Sequence, residues 1–411
     1  MFGYRRKSFR KAAAMLSTIR KEPADLKTLF ALQKLLIAEI TLAERRVREN
    51  KARANAEQGN RSAYYEKRAQ AHRQSIYYWK AFGDAIAFLY CDRFALKHVY
   101  YNTHNENVRQ DGGFISGSAG FEQEFDTLRK LVEGGYPCVL CDLTNTIRYG
   151  DVCVMVEDDP ILIEVKASGT KNQRRARQLR NLKTLREFYR TDASSGLRGF
   201  PSIYRMATRS VPHSFEEELN ECIEESYERD YALKSPEPGV CYVAISGDVR
   251  VEEVSSQLSL AEPLLFSLNE TRRDRAWSPY YPFTLLIRSE RALYDFMLGR
   301  LIVMVLLDVA VIRDLVRTMG WIPKFDLESD YPVWASRNGG EEQAGLSGHA
   351  LTRAAMEALS LKWVVEEGIR ELEPSGRLPD KAVEIPTPGR CRGWSGGTGC
   401  ATLERPGCGH Q

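Results

Sequence analysis

Apolar residues recur at three- and four-residue steps through two stretches of the first hundred residues. The first stretch, residues 23–57, has the period of an amphipathic helix, and Pro23 suits its first turn. Gly59 and Asn60 interrupt the pattern before a second helical stretch continues to Leu89. We therefore predict an antiparallel helical hairpin. Its many lysines and arginines are typical of a solvated helix surface, and nucleic acid is the alternative partner for them.

Two short apolar runs, residues 152–156 and 161–163, are separated by a group of turn-forming residues. This pattern predicts a β-hairpin. Polar residues lie at the far end of the hairpin: Asp151 starts the first strand, and Glu164 and Lys166 end the second. Each of these would be costly to bury unless it were paired or bound to a metal. The far end of the hairpin is therefore the main candidate for chemistry.

Strand geometry places these three polar residues on one face if the register is right. Side chains alternate along a strand, so Glu164 and Lys166 share a face. A tight turn centred on Asp158 and Asp159 sets position 151 opposite position 166, which puts Asp151 on that face as well. A slip of one residue would send Asp151 to the other face. Two carboxylates and an ammonium group on one face suit a divalent metal with oxygen ligands, with the lysine beside a bound water.

Helix and strand patterns surround the hairpin. Residues 121–133 predict a helix with a clear apolar face, two glycines end it, and residues 136–143 predict a strand. After the hairpin, residues 172–190 predict a markedly basic helix and residues 239–246 predict a buried strand. The arginines and lysines crowd the surface that the apolar face of this helix leaves exposed, and so dense a cluster beside a candidate metal site is more than ordinary surface charge. We expect them to neutralise nucleic-acid phosphates and to give salt-sensitive binding.

The remaining patterns complete the predicted organisation. Residues 191–238 look like an insertion that contains an acidic helix near residues 215–231. The C-terminal part is predicted to contain a strand at 283–287 and helices near 289–319 and 351–371. We predict four parts: an N-terminal helical region at 1–105, a core at 106–250 with an insertion at 191–238, a mixed α/β region at 251–373, and a disordered tail at 374–411.

Composition and charge narrow the class of protein only a little. The 411 residues are 43% hydrophobic and 27% charged, which is ordinary for a soluble globular chain. A net charge of +3 is nearly balanced, so attraction to nucleic acid must come from local clusters. The longest apolar run, residues 301–312, is too short to span a membrane, and we expect a buried helix there. The basic N-terminus has no apolar signal-peptide core after it, so we expect a cytoplasmic protein without membrane contact.

The nine cysteines do not form the pattern of a disulfide framework. Cys138 and Cys141 make a CxxC pair within an apolar run and lack a second pair at zinc-finger spacing, so buried thiols are the preferred interpretation. Four residues of the tail are formally enough for one zinc, although irregular spacing in a Gly-rich segment favours a disordered end. These are Cys391, Cys400, Cys408 and His410.

Residues 121–246 resemble the PD-(D/E)xK nuclease superfamily, which has the restriction-endonuclease-like fold. The resemblance rests on Phe121-Glu122 of the leading helix, Gly150-Asp151 of the second strand, and Glu164-Val165-Lys166 of the third. Gly150 stands where the family's named proline would be, and Leu182 replaces the tyrosine of the recombination-exonuclease branch. The implied fold is α/β: a mixed central sheet flanked by helices, here with an N-terminal helical hairpin and a C-terminal α+β extension.

The resemblance also implies roles for individual residues. Asp151 and Glu164 would bind Mg²⁺ or Mn²⁺, and Lys166 would orient or deprotonate the attacking water. Glu122 would assist the metal shell, with Glu124 as the fallback for that role. The nucleic-acid contacts are assigned to six residues at the start of the basic helix. They are Lys171, Arg174, Arg175, Arg177, Gln178 and Arg180.

The function expected from these observations is that of a metal-dependent DNA endonuclease in restriction or antiphage defence. An RNA-cleaving nuclease stays open as an alternative. So does a catalytically inactive module that keeps the fold for nucleic-acid binding or assembly. The protein partners considered are a second copy of the chain, as in a homodimer, and partner proteins of a defence system. The chain has no ATPase motif, so any translocation would come from a partner.

Overall fold

The computed structural model describes residues 5–110, 113–117, 120–165, 173–369 and 398–401, with the backbone alone at 173–175, 206, 251 and 398–401. The described helices are α1 (Arg6–Lys21), α2 (Leu26–Ala56), α3 (Gly59–Tyr90), α4 (Arg93–Leu96), α5 (Phe121–Glu133), α6 (Gln173–Thr191), α7 (Glu216–Arg229), α8 (Val251–Ser255), α9 (Leu268–Arg273), α10 (Phe283–Leu286), α11 (Glu290–Leu298), α12 (Val309–Thr318), α13 (Gly348–Met356) and α14 (Leu361–Gly368). Short 3-10 helices are described at Lys97–Val99, Cys141–Leu143, Leu197–Gly199 and Asn338–Gly340.

The strands form several small sheets. They are β1 (Cys138–Leu140), β2 (Val152–Val154), β3 (Ile161–Ile163), β4 (Ala193–Ser194), β5 (Ile203–Ala207), β6 (Tyr231–Lys234), β7 (Val240–Ile245), β8 (Pro263–Ser267), β9 (Ile302–Asp308), β10 (Ile322–Phe325), β11 (Val333–Arg337), β12 (Glu342–Leu346) and β13 (Thr398–Ala401). Their orders are β1-β2-β3, β13-β5-β4, β6-β7-β9-β8 and β10-β11-β12. Wherever a register is described, the pairing is antiparallel. The chain is thus mixed α/β, with small antiparallel sheets in place of the mixed central sheet that was expected.

The chain divides into two compact units. The first comprises residues 1–206, 270–299 and 398–411, and the second comprises residues 207–269 and 300–397. The predicted strand at 239–246 forms as β7, but it pairs with β6 and β9 in the second unit and not with β1, β2 or β3.

The first unit is built on the predicted helical hairpin, which forms as α2 and α3 and is joined by α1. Asp25, two residues after Pro23, caps α2 by accepting a hydrogen bond from the Thr28 N–H (2.9 Å). Aromatic side chains fill the core between the helices; the Phe9 and Phe82 rings meet edge to face at 5.7 Å. This helical layer carries the small sheet β1-β2-β3 described below.

Three predictions for the C-terminal part of the chain were wrong. The strand predicted at 283–287 is helix α10, which spans Phe283–Leu286. The predicted helix at 289–319, with its buried apolar run, is α11, β9 and α12, because Gly299 ends α11 at φ +71° and the run Ile-Val-Met-Val-Leu-Leu pairs on both sides as a strand. The predicted helix at 351–371 is split into α13 and α14.

The expectation of buried thiols is confirmed for the cysteines whose side chains are described. Cys91, Cys138, Cys141, Cys153, Cys222 and Cys241 are all buried and free. The tail residues Cys391, Cys408 and His410, and the side chain of Cys400, lie outside the described part of the chain. Within that part, no helix combines the length and the apolar content that a bilayer crossing requires.

Candidate active site

The hairpin of β2 and β3 forms at the predicted place with a different register. Val152 pairs with Ile163, two residues away from the predicted partner, and residues 155–160 form a longer connection than the predicted tight turn. A shift of two residues keeps the predicted faces of the paired residues, whereas a shift of one would have reversed them. Asp151 and Glu164 are the next residues outward at the open end of the hairpin.

The backbone bends where Asp151 begins the first strand. Gly150 adopts φ +73°, and a Cβ atom built on it would lie 3.0 Å from the Ile163 carbonyl oxygen. The Asp151 N–H donates to that same carbonyl (2.8 Å), and the Asp151 carbonyl accepts from the Cys141 N–H (2.9 Å). Glycine is favoured at position 150 because other residues rarely adopt this conformation and because a Cβ atom would crowd the Ile163 carbonyl.

The Asp151 side chain is half-buried and held by the opposite strand. Its Oδ2 atom accepts a hydrogen bond from the Val165 N–H at 2.6 Å. Burial raises the pKa of Asp151, the Val165 hydrogen bond lowers it, and the nearby Asp142 carboxylate raises it again, with an upward net shift. Lys166, the next residue after Val165, lies outside the described residues.

The structure brings Glu124, and not Glu122, towards the end of the hairpin. Both residues are in the first turn of α5, but Glu122 is exposed, whereas Glu124 is half-buried. Burial first, and then the carboxylates of Asp151, Asp142 and Glu164, together raise the pKa of Glu124 to about 7. Glu124, the fallback of the sequence analysis, is therefore the helix carboxylate that shares the electrostatic environment of Asp151.

Asp142 is a member of this group that the sequence analysis did not single out. It lies in the 3-10 helix that follows β1, where the chain leaves the sheet beside Asp151. The same carboxylates act on the buried Cys141 thiol. Burial is the main cause of its raised pKa, and four neighbouring carboxylates add to the increase. These four, named the carboxylate cluster below, are Glu124, Asp142, Asp151 and Glu164. A sequence signal did exist, since Asp142 ends an apolar strand, but one acidic residue at a strand end is not distinctive.

Helix α3 positions the segment that connects β1 to β2. A Cβ atom built on Gly83 would lie 1.9 Å from the Leu143 carbonyl oxygen, so only glycine lets the helix and the backbone meet here. The adjacent Asp84 carboxylate accepts hydrogen bonds from the Asn145 N–H (2.7 Å), the Asn145 side-chain amide (2.7 Å) and the Thr146 N–H (2.9 Å). Burial raises the pKa of Asp84 to about 6, against the lowering effect of these hydrogen bonds.

Helix α2 holds the outer edge of the sheet. The buried Gln33 amide donates to the Cys138 carbonyl (2.9 Å) and accepts from the Leu140 N–H (3.1 Å). The side chain thereby satisfies the edge groups of β1 in the way a neighbouring strand would. Helices α2 and α3 of the helical hairpin thus hold in place the sheet β1-β2-β3. Asp142 and Asp151 lie next to its strands β1 and β2.

The basic helix α6 is anchored at its C-terminal end by Arg205 of β5. The Arg205 guanidinium, almost fully buried, makes ion pairs with Asp159 of the β2–β3 connection and Asp192 at the end of α6, with contacts of 2.9 Å and 2.7 Å. It also donates to the Tyr189 carbonyl at 3.2 Å. Bidentate contacts of this kind fix orientation as well as distance. The helix is therefore held to the connection of the β2–β3 hairpin.

The predicted nucleic-acid contacts are described in part. Arg177 and Arg180 are exposed, Gln178 is half-buried, and no described carboxylate lies within ion-pair distance of either arginine. Lys171 lies outside the described residues, and the side chains of Arg174 and Arg175 do so as well. The described part of α6 thus presents unpaired positive charge to solvent.

The carboxylate cluster is the candidate metal centre of the chain. Among the described residues, no three or more His, Cys, Asp and Glu side chains are arranged as a ready-made metal cage. The donors present are carboxylate oxygens; burial is the main cause of the raised pKa of Glu124 and of Asp151, and repulsion by neighbouring carboxylates adds to it. Such a set suits Mg²⁺, which is commonly held by one or two carboxylates together with water and substrate phosphate.

Comparison with family models, with curated proteins and with solved structures found no match to this chain. The geometry of the site therefore has to carry the functional argument.

Proposed function

We propose that the chain is a metal-dependent nuclease of the PD-(D/E)xK type that hydrolyses DNA phosphodiester bonds at the open end of the β2–β3 hairpin. The single observation that carries the proposal is the carboxylate cluster. The four carboxylates come from α5, from the 3-10 helix after β1 and from the residues next to β2 and β3; in addition to burial, they raise the pKa of Glu124, of Asp151 or of the neighbouring Cys141 thiol. Mutual repulsion of this kind is typical of a site built to receive a cation.

The assigned roles follow from position. Asp151 and Glu164 are the proposed ligands for Mg²⁺ or Mn²⁺, because they lie next to one another at the hairpin end with oxygen donors only. Asp151 is presented by the Val165 N–H, which leaves its other carboxylate oxygen for the ion. Glu124 replaces Glu122 as the third acidic member. When bound, Mg²⁺ supplies Lewis acidity towards the scissile phosphate.

The reaction is hydrolysis of a phosphodiester. The oxygen of a water molecule forms a new bond to phosphorus, the bond from phosphorus to the leaving sugar oxygen breaks, and a proton moves from the water to that oxygen. Lys166, which follows Val165 in sequence, is proposed to orient the water and to stabilise the negative charge that develops on the phosphate. Arg177 and Arg180 are proposed to bind flanking phosphates.

A plasmid-nicking assay tests the proposal. Wild-type protein should cleave with Mg²⁺ or Mn²⁺ and stop in EDTA, and Asp151→Asn and Glu164→Gln should each lower the rate by at least about 100-fold, since removal of a ligand loses the Lewis acid. Glu122→Gln is the matched control and should retain the wild-type rate. Lys166→Ala should abolish cleavage while metal binding remains.

Two results would contradict the proposal. Cleavage that survives complete chelation would place the chemistry elsewhere, and full activity in both ligand variants would remove the hairpin end from the reaction. A protein that binds DNA with salt-sensitive affinity but never cleaves it would support the alternative, an inactive binding module. Parallel reactions on RNA of the same sequence distinguish the remaining alternative.

A further inference from the structure

The far half of the helical hairpin carries more positive charge than the whole chain. Residues 45–73, from the end of α2 to the middle of α3, contain nine Lys and Arg against three Glu, a net charge of +6 compared with +3 for all 411 residues. The rest of the protein is therefore acidic on balance. This segment, named the distal hairpin, lies in a different part of the chain from the carboxylate cluster and from α6.

Most of this charge faces solvent. The two helices bury small or apolar residues such as Val47, Ala54 and Ala69, and the cations occupy the remaining surface. The described carboxylates compensate only part of it: Glu49 pairs with two arginines and Glu57 with one, all on exposed helix surface, where ion pairs are weak. Lys51, Arg53 and Lys67, all exposed, have no described carboxylate within ion-pair distance.

Arginines and tyrosines of both helices share one face of the distal hairpin. The Arg53 guanidinium of α2 lies 5.7 Å from the ring centre of Tyr65 on α3, and the Arg68 guanidinium lies 5.6 Å from that of Tyr64. The two tyrosine rings are 5.4 Å apart. Such stacking holds guanidinium groups in place, and Arg68 also donates a hydrogen bond to the Tyr64 hydroxyl (3.3 Å).

The positive charge of the distal hairpin also affects the buried ring of His72. It lies between the two helices, and both of its ring nitrogens are buried without a hydrogen-bond partner. Burial lowers the pKa of His72 first, and Arg68 and Arg46 lower it further, while Glu49 opposes them. Arg46 lies seven residues before Arg53, two turns earlier on the same side of α2. It is therefore grouped with Arg53, Tyr64, Tyr65 and Arg68 in the surface named the arginine face below.

We propose that the arginine face binds the phosphate backbone of double-stranded DNA and forms a second contact surface besides α6. The proposal rests on the proposed function for the identity of its partner, but it does not require cleavage. Arg46 and Arg53 are seven residues apart, so they lie about 10 Å apart along one side of a rigid helix. A regular polyanion is the partner whose charge density matches a fixed row of this kind.

Other partners fit this surface less well. An anionic membrane would require apolar side chains for insertion, and Tyr64 is the one large hydrophobic residue described as exposed in the distal hairpin. Single-stranded nucleic acid is usually held in a groove lined by several aromatic rings, and here one tyrosine is 49% exposed on a helix surface.

The test is binding of a labelled DNA duplex, measured by fluorescence anisotropy in EDTA over a series of salt concentrations. The test variant combines Arg46→Gln, Arg53→Gln and Arg68→Gln, which replaces the three arginines of the arginine face. The matched control replaces three exposed cations on other helices: Arg273→Gln, Arg317→Gln and Lys362→Gln. Each of these cations makes an ion pair within its own helix. Both proteins lose the same net charge, so a difference between them reports position.

The slope of log affinity against log salt should fall by about 0.9 for each phosphate contact that the test variant loses, on duplexes of unrelated sequence. The control should keep the wild-type slope, and a variant with lysine at the same three positions should recover most of it. An unchanged slope in the test variant would overturn the proposal. So would an equal change in the control, failure of the lysine variant to recover binding, or tighter binding to anionic vesicles than to the duplex.

Failure of the proposed function gives a different pattern. If the wild-type protein binds through the arginine face but shows no cleavage with Mg²⁺, the nuclease assignment falls and this inference stands. If it cleaves and the test variant binds as the wild type does, the inference falls and the nuclease assignment stands. Arg177→Gln with Arg180→Gln should lower the salt slope independently, since α6 supplies separate contacts.

Discussion

Replacing Glu124 by glutamine should stabilise the metal-free protein at alkaline pH and leave its stability unchanged in acid. Burial and the carboxylates of Asp151, Asp142 and Glu164 raise the pKa of Glu124 from 4.5 to about 7. A raised carboxyl pKa favours the folded state below the unfolded pKa, and this contribution is lost as the pH rises through the folded pKa. Ionised Glu124 is therefore destabilising above about pH 7, and glutamine removes that charge.

The magnitude follows from the shift. A difference of roughly 2.5 pH units corresponds to about 3 kcal/mol at 1.36 kcal/mol per unit. The Glu124 side chain is half-buried, so solvent screens part of this energy, and we expect about 1 to 2 kcal/mol in the free energy of unfolding. The gain in the free energy of unfolding should be complete above about pH 8, where Glu124 is ionised in the folded protein. It should vanish near pH 4.5, where Glu124 is protonated in the folded protein.

The assay is urea unfolding in EDTA at a series of pH values, with Glu122→Gln as the control. Glu122 lies two residues earlier in the same helical turn and is exposed, so its replacement should change the pH dependence little. Equal pH profiles for wild type and Glu124→Gln would refute the claim that the four carboxylates interact. A gain as large in Glu122→Gln would trace the effect to the loss of any negative charge at the start of α5 and not to the cluster, since the helix dipole favours a carboxylate there.

Two further predictions concern helix α3. Gly83→Ala gains about 1 kcal/mol of helix propensity but sets a Cβ 1.9 Å from the Leu143 carbonyl oxygen, so urea unfolding should show a net loss of about 2 kcal/mol or more; a stabilised variant would contradict this packing. His72→Leu removes two unpartnered ring nitrogens, so its melting temperature at pH 7 should equal or exceed that of wild type. Wild type should also lose stability relative to this variant as the pH falls below 6.5, because the folded pKa of His72 is lowered; parallel pH profiles would count against it.

The sequence predicted the elements whose periodicity is set by local burial. The helices α2, α3, α5 and α6 and the strands of the hairpin lie close to their predicted bounds, because each buries a regular stripe or run of apolar residues. The prediction of a helix is wrong for β9, since a continuous apolar run has no period that distinguishes a strand from a helix. Its partners β7 and β8 lie far away in sequence, and pairing with them decides its conformation.

The candidate site divides in the same way. Asp151 and Glu164 were recognisable because both interrupt the ends of apolar strands. The choice of Glu124 over Glu122 depends on how α5 is rotated about its axis, and the membership of Asp142 depends on the turn that follows β1. Both features arise from tertiary packing, which residue spacing does not record. The support from Gly83, Asp84 and Gln33 is equally long-range, joining helices to a sheet more than fifty residues away in sequence.

The most direct test of the central claim is a crystal structure of the protein soaked with Mn²⁺, whose anomalous scattering locates the ion. The account predicts a peak at the open end of the β2–β3 hairpin, within about 2.3 Å of a carboxylate oxygen of both Asp151 and Glu164. The peak should be absent from Glu164→Gln crystals soaked in the same way. A wild-type hairpin end that stays empty while DNA cleavage by the same preparation depends on Mn²⁺ would contradict the account.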